Sequence, residues 1–212
     1  MRERATVRSP QFYPMDLVVE RGENLKKLLI VVDMQNDFID GSLGTPEAQA
    51  IVPKVVEKIQ NWDGDIVYTQ DTHDRFYLNS NEGKHLPITH CVYQTHGWKV
   101  ENSVQFALDS MDEIITVRYD DGSLAYTYHK VKSLTKHKFG SVILAEDYCL
   151  DYDTIVLCGL CTDICVIANA LLVKSFQPEA NVIVDASCCA GTTKENHEAA
   201  LKVMRSCQID IV

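Results

Sequence analysis

Thr154-Ile-Val-Leu-Cys-Gly-Leu-Cys-Thr-Asp-Ile-Cys-Val166 is the stretch on which the reading of this chain turns. Its first half is an apolar, β-branched run of strand length. Its second half opens a helical pattern, with Ile164, Ala168, Leu171, Leu172 and Ser175 at helical spacing. Between them lies a tight Gly-Leu-Cys-Thr-Asp turn. Thr162 and Asp163 are residue types that cap a helix start, because their short side chains accept hydrogen bonds from free backbone N–H groups. Cys165 is therefore expected in the first turn of a helix that follows a buried strand. Free N–H donors and the positive end of the helix dipole favour a thiolate there, and the thiolate is the nucleophile. The competing account is a packing cysteine, since free Cys is among the most buried residue types.

The same strand-then-helix grammar recurs on both sides. Leu28-Leu-Ile-Val-Val-Asp33 is a continuous apolar run ending in an acid, as suits a central parallel strand covered on both faces. Open α/β sheets place their ligands beyond such strand ends. A helix should begin at Thr45-Pro46, with Pro at its first position, and bury Ile51, Val55 and Ile59. Gly64 to Gln70 is the next strand, again ending in an acid, Asp71. A long loop from Thr72 to Glu101 follows, holding His73, His85, His90 and His96; loops of that length are functional or disordered. Val104 to Asp109 reads as a short helix. Ile114 to Tyr119 and Leu124 to Tyr128, joined through Asp120-Asp-Gly, read as a β-hairpin inserted at the sheet edge. Val131 to Thr135 is a short strand leading into Lys136. Asn181 to Asp185 is a further strand, Thr192 to Cys207 a helix with Ala199, Ala200, Val203 and Met204 inward, and Ile209 to Val212 a closing strand.

Strands alternating with helices imply an α/β fold, a doubly wound and mostly parallel β-sheet with helices on both faces. Residues 1–27 mix charges with Pro10 and Pro14 and read as an N-terminal arm, with a short helix near Leu17 to Lys27. Residues 28–212 read as one domain.

Composition narrows the function classes. The formal net charge is −10 over 212 residues, which argues against nucleic acid and against an anionic membrane surface as partners. No apolar run approaches the ~20 residues needed to cross a bilayer. The N-terminus carries positive charge but no apolar run after it, unlike a secretory signal. Eight cysteines in that setting imply free thiols and a reducing compartment, the cytoplasm. One CxxC, Cys158 to Cys161, has no second pair and is a weak metal or redox signal. Cys188-Cys189 falls after a strand in an expected loop, where packing is the plainer account.

Successive strand ends should deliver Asp33, Lys136 and the Cys165 turn to one edge of the sheet. A thiol, a carboxylate and an ammonium are the parts needed for covalent acyl transfer. The carboxylate takes the thiol proton and later gives it to a leaving amine, while the ammonium holds the acid ionised. Backbone N–H groups of Cys161 and Cys165 would form the hole for the tetrahedral oxyanion. Periodicity alone does not choose Lys136 over Lys138.

These residues resemble the isochorismatase-like cysteine hydrolases, and within them the nicotinamidase branch. Asp33-Met-Gln-Asn-Asp-Phe38 with Gly41-Ser-Leu matches the first motif of that family. Thr69-Gln-Asp-Thr-His73 matches the second, and His90-Cys91 near Gly97-Trp98 the third. Thr135-Lys-His-Lys-Phe-Gly-Ser141 looks like its lysine segment, and Cys158 to Val166 like its nucleophile motif. The resemblance runs from about Leu28 to Val212 and implies Asp33, Lys136 and Cys165 as the catalytic set. It also implies a non-proline cis peptide between Leu160 and Cys161.

Asp71 and His73 lie two apart at a strand end and can turn toward one ion, with His90 returning from the loop. An Asp with two His suits zinc, or iron or manganese. In nicotinamidases a divalent metal so held binds the pyridine nitrogen of the substrate and water. Some members supply a further His six residues after the first; this chain has Asn79 there, and His85 is the available substitute. The family has an aromatic ahead of its Pro-x-His-Cys segment, where Leu86 stands here. Phe38 and Leu86 are thus the expected substrate walls. The leading expectation is a metal-assisted amidohydrolase, a homo-oligomer, taking a small-molecule amide, nicotinamide foremost, through a Cys165 thioester. A metal-free hydrolase of another small amide or enol ether is the alternative within the family. A non-catalytic binding module that kept the fold is the alternative outside it.

Overall fold

In the computed structural model the described residues are 26–118 and 124–212. The expected N-terminal arm up to residue 25 and the tip of the hairpin lie outside them. The elements follow in order as β1 (Lys27–Val32), α1 (Asn36–Ile39), α2 (Pro46–Gln60), β2 (Asp65–Asp71), α3 (Asn81–His85) and α4 (Asn102–Met111). Then come β3 (Ile114–Arg118), β4 (Leu124–His129), β5 (Val131–Lys136), β6 (Thr154–Leu160), α5 (Ile167–Phe176), β7 (Asn181–Ala190), α6 (Lys194–Ser206) and β8 (Asp210–Ile211). Six strands form one sheet in the order β5-β2-β1-β6-β7-β8, every pairing in it parallel. The fold is thus the expected doubly wound α/β sheet.

The chain starts in the middle, winds outward through β2 and β5, then returns to β6 and winds the other way. The reversal falls between β1 and β6, the topological switch point at which such sheets open a crevice beyond their carboxyl ends. β1 and β6 are buried from end to end save for their first residues, which is why both read as unbroken apolar runs. α2 and α4 pack on one face of the sheet, and α5 and α6 on the other. Helix α2 begins as expected: Thr45 accepts a hydrogen bond from the N–H of Ala48 at 3.0 Å, Pro46 follows, and Ile51, Val55 and Ile59 are buried.

Several expectations are corrected. Strand β7 does not stop at Asp185. The β6–β7 register shifts between Leu157 and Gly159, and Cys189 and Ala190 pair with Gly159 and Leu160. Cys188 and Cys189 are therefore buried strand residues rather than loop residues. Helix α6 turns Ala200, Leu201 and Met204 inward, whereas Ala199 is exposed and Val203 is 49 % exposed, so its buried stripe is rotated from the expected one. Helix α5 buries Asn169, Ala170 and Val173; the stripe from Ile164 to Leu172 is only half-buried, and Ser175 is exposed. The loop after β2 is not structureless, since it contains α3 and a turn over Tyr77–Asn79. The hairpin β3–β4 forms as expected but makes its own two-stranded sheet and does not join the edge of the main one.

Gly159 is where the two central strands approach too closely for any side chain. Its φ is +116°, and a Cβ there would meet the carbonyl oxygen of Val32 at 2.1 Å.

Candidate active site

The crevice at the switch point holds the expected side chains. Asp33 leaves the end of β1 with φ +46°, a sparsely populated region for a residue with a side chain. Its N–H donates to Thr69 Oγ1 at 3.2 Å, and the Thr69 hydroxyl donates back to Asp33 Oδ1 at 2.7 Å. The other carboxylate oxygen, Oδ2, lies 2.6 Å from Lys136 Nζ, and neither side chain meets solvent appreciably. Lys136 Nζ also stands 3.5 Å from Cys165 Sγ and 3.4 Å from Asp71 Oδ1. Lys138 is exposed on the adjoining loop, so the fold makes the choice between lysines that spacing left open.

Cys165 lies on a wide helical turn, Thr162–Val166, which leads into α5. The Leu160–Cys161 peptide is cis, as the resemblance implies. Thr162 and Asp163 do not cap this turn. Thr162 Oγ1 instead shares a 2.8 Å hydrogen bond with His197 Nδ1. The Asp163 carboxylate accepts from the N–H of Thr192 at 2.8 Å and from its hydroxyl at 2.5 Å. Thr162 thus ties the turn to α6, and Asp163 ties it to the β7–α6 connection. Asn169 is a further organiser that no sequence pattern marked. Its Nδ2 donates to the carbonyl of Cys165 at 2.8 Å, and its Oδ1 accepts from the N–H of Ser141 at 2.9 Å. It thus joins the nucleophile's turn to the lysine segment.

The electrostatics of the thiol differ from the expectation. Burial, and after it the Asp33 charge, push the Cys165 thiol well above its ordinary value, with Lys136 opposing. Desolvation opposes what the helix terminus contributes, so drawing the proton from sulfur calls for a base beside it. Burial likewise raises the Asp33 carboxyl, the Lys136 charge opposing, which makes it a stronger proton acceptor. Burial disfavours the Lys136 ammonium, but Asp33, Cys165 and Asp71 outweigh it and hold its pKa above the ordinary lysine value.

Beside this trio stands a donor cluster. One ligand atom each from Asp71, His73, Glu82 and His90 lies within 4.8 Å of the others. Asp71 Oδ2 is 2.9 Å from His73 Nε2 and 3.7 Å from His90 Nε2; Glu82 Oε1 is 3.6 and 3.9 Å from the same two nitrogens. His73 Nε2 is buried and yet makes no aligned hydrogen bond, despite its closeness to Asp71. That is the geometry of donors converging on a shared point rather than on each other. In His90 the other ring nitrogen, Nδ1, sits 2.8 Å from the carbonyl of Ile88. A proton held there leaves the Nε2 lone pair facing the cluster, the arrangement found around metal-bound histidines. Two imidazoles and two carboxylates suit a divalent cation, and the donor set fits one.

Glu82 is the member that sequence reasoning missed. It lies in the first turn of α3, which starts where the Ser80 hydroxyl accepts from the N–H of Gly83 at 2.9 Å. His85, the other histidine available in the loop, is exposed and bonds Asn81. Tyr77 is buried against both histidine rings, at 4.5 Å from His73 and 4.9 Å from His90, and its hydroxyl donates to the carbonyl of Leu86 at 2.9 Å.

Cys165 from the trio and Asp71, Glu82 and His90 from the cluster line one cavity of about 320 Å³, together with Phe38, Leu86 and Cys161 among others. Phe38 and Leu86 therefore do form walls, and Phe139 forms another.

Comparison with known proteins agrees with this geometry. The nicotinamidase of Saccharomyces cerevisiae is 25 % identical over 206 residues, spanning 75 % of this chain and 86 % of that protein. The zinc complex of a pyrazinamidase from Pyrococcus horikoshii superposes with a TM-score of 0.64 at 27 % identity, covering 88 % of this chain and 98 % of that one. A pyrazinamidase/nicotinamidase from Streptococcus mutans gives 0.67 at 25 % identity, covering 88 % and 100 %. The isochorismatase domain family matches residues 27–212, a span that carries every strand end described above. The chain belongs to that family of cysteine hydrolases.

Proposed function

We propose that this protein is a metal-assisted cysteine amidohydrolase that converts nicotinamide to nicotinate and ammonia. The Asp71 carboxylate carries the reading. One of its oxygens faces His73 and the other faces Lys136, so it joins the donor cluster to the thiol trio, and Cys165 and Asp71 line the same cavity.

Asp71, His73, Glu82 and His90 would hold the divalent ion, zinc by analogy with the archaeal relative. When bound, it supplies an electrophilic anchor for a pyridine nitrogen and for water. The chain's own residues account for the remaining steps. Asp33 takes the proton from the Cys165 thiol, and Sγ adds to the carboxamide carbon. Lys136 keeps the buried carboxylate and the developing thiolate compensated. The N–H groups of Cys161 and Cys165 receive the oxyanion. The proton on Asp33 passes to the departing nitrogen, which leaves as ammonia, and a thioester remains on Cys165. Water then cleaves the C–S bond, returning the proton to sulfur and releasing the acid. Phe38 and Leu86 confine the ring.

The same reading takes the protein to be cytoplasmic, supported by a nucleophile that works only as a reduced thiol. It takes it to be a homo-oligomer, supported by exposed Phe139, Val142 and Ile143 on the segment after β5. The test is ammonia and nicotinate release from a panel of small amides, with and without chelator, for the native protein and Cys165→Ala. Nicotinamide turnover that falls with chelator and vanishes in the variant supports the assignment. No release from nicotinamide, or undiminished release by Cys165→Ala, overturns it.

A further inference from the structure

We infer that the cavity also accepts N-alkyl carboxamides, releasing an alkylamine where a primary amide releases ammonia; this rests on the amidohydrolase reading above. The argument is the direction in which the cavity continues. The donor cluster belongs to the end of β2 and the loop after it, the thiol to the end of β6. Yet the lining does not stop there. It runs on to Gly191 and Thr192, beyond the end of β7, to Leu43, Thr45 and Ala48 at the α1–α2 junction, and to Ile164. From β2 to β7 are three strand spacings, ~14 Å, whereas a carboxamide meta to a ring nitrogen spans about one. A volume of about 320 Å³ reaches the range of drug-sized ligand sites, more than one six-membered ring with a carboxamide fills.

The unfilled part lies on the leaving-group side. A ring held toward Asp71 and His90, with its carbonyl oxygen directed at the N–H groups of Cys161 and Cys165, leaves the nitrogen substituent to be placed. Secondary amides put that substituent on the same side as the carbonyl oxygen, because the amide is planar and trans. That side is the Cys161–Cys165 turn, and the β7–α6 connection flanks it. The wall there consists of short side chains and a glycine. A Cβ on Gly191 would meet Asp163 Oδ1 and His197 at 2.9 Å, so the backbone itself forms the surface. Apolar Leu43, Ala48 and Ile164 suit an alkyl chain and offer nothing to a charged group.

The chemistry balances without a new participant. Cys165 Sγ forms a bond to the carbonyl carbon, the C–N bond breaks, and the proton held by Asp33 leaves with the alkylamine. Water then cleaves the thioester to the same carboxylic acid.

The experiment follows nicotinate as the common product from nicotinamide and from its N-methyl and N-propyl carboxamides, with the metal-loaded protein. The expected kcat/KM for N-propyl is at least about one tenth of that for nicotinamide, since a cavity that fits loses less than the ~10–200-fold attached to a misplaced methylene. Ala48→Leu fills the lobe and should lower the N-propyl to nicotinamide ratio by roughly tenfold or more. Leu43→Trp, at a half-buried position at the edge of the core, should do the same. A native ratio below one tenth, or a ratio unmoved by both substitutions, overturns the inference. Absence of nicotinate from every compound instead removes the reading on which it rests.

Discussion

Replacing Asp33 by Asn separates what the buried ion pair does for the fold from what it does for the chemistry. In the native protein Asp33 Oδ2 and Lys136 Nζ are 2.6 Å apart and out of solvent. The substitution leaves a buried ammonium whose remaining anionic partner is Asp71, at 3.4 Å. Removing one half of a buried pair costs about 3–5 kcal/mol. The surviving Asp71 contact puts the cost near the lower end. In a domain of this size 1 kcal/mol moves Tm by about 2–4 °C, so a fall of roughly 6–12 °C is expected. Asp33→Asn/Lys136→Met removes both charges and should recover much of that loss. Turnover should not follow. A buried thiol above its ordinary pKa needs a base, and losing it removes about 10²–10⁴ in rate, or ~3–5 kcal/mol of barrier. Differential scanning calorimetry and nicotinate formation are read side by side on both variants. Melting of Asp33→Asn within about 2 °C of native refutes the energetics of the pair. Turnover within tenfold of native refutes Asp33 as the base.

The remaining expectations probe the donor cluster, the strand junction and a second ion pair. His90→Ala should lose the bound metal and Glu82→Ala should weaken it by roughly tenfold or more, while His85→Ala leaves it unchanged by elemental analysis; equal metal content in all three would place the site elsewhere. Gly159→Ala should fail to accumulate as folded protein, because a Cβ 2.1 Å from the Val32 carbonyl strikes backbone; a native melting curve would show that β1 and β6 separate easily. Asp185 lies with one oxygen 2.6 Å from Lys58 Nζ. Burial would raise its carboxyl, but Lys58 and Ser187 outweigh burial and hold it below the ordinary 3.8. Burial would lower Lys58, but Asp185 holds it above the ordinary 10.5. The stabilisation is therefore complete between those two values, lost as pH falls through the depressed carboxyl value and lost again above 10.5. The stability gap between native protein and Asp185→Asn should stay level from about pH 5 to 9 and close toward pH 2; a gap that widens on acidification contradicts this, as chemical denaturation across pH would reveal.

What could be read in the sequence depended on whether the signal was local. The runs Leu28–Val32 and Thr154–Leu160 are apolar on both faces because both faces are covered, and each run ends where the crevice opens. Asp33 and the Cys165 turn were therefore legible as strand-end residues. Lys136 was legible only as one of two lysines, since its burial comes from pairing with β2 and from Asp33, both distant in sequence. Glu82 was not legible at all. It joins the histidines because Ser80 starts a short helix in the loop and points that turn at Asp71, and nothing in its neighbours repeats at helical or strand spacing. The thiolate expectation weighed only a local feature, the helix terminus, whereas the desolvation that pushes the thiol up depends on the whole sheet edge. Strand β7 outran its expected end because a register shift in β6 offers it partners that polar Asp185 and Ser187 give no hint of.

The segment Asp33 to Phe38 shows why the spacing in this motif matters more than any one residue type. Asp33 reaches Lys136 and, through it, the sulfur. Two residues on, Gln35 accepts from the N–H of Asp71 at 2.7 Å and donates to its carbonyl at 2.9 Å, fixing the backbone of the residue whose carboxylate both halves of the site share. Two further on, Asp37 accepts from the N–H of Cys91 at 2.7 Å and so anchors the loop that returns His90. Gly97 must lie against that same carboxylate, at a distance no Cβ would permit. Phe38 closes the sequence as a cavity wall, its ring 5.5 Å from that of His90. A single short turn after β1 thus sets the thiol's base, the shared carboxylate, the histidine loop and the ring pocket in one register. Inserting or deleting a residue within it would uncouple all of them at once, whereas changing one side chain removes one contact and leaves the others in place.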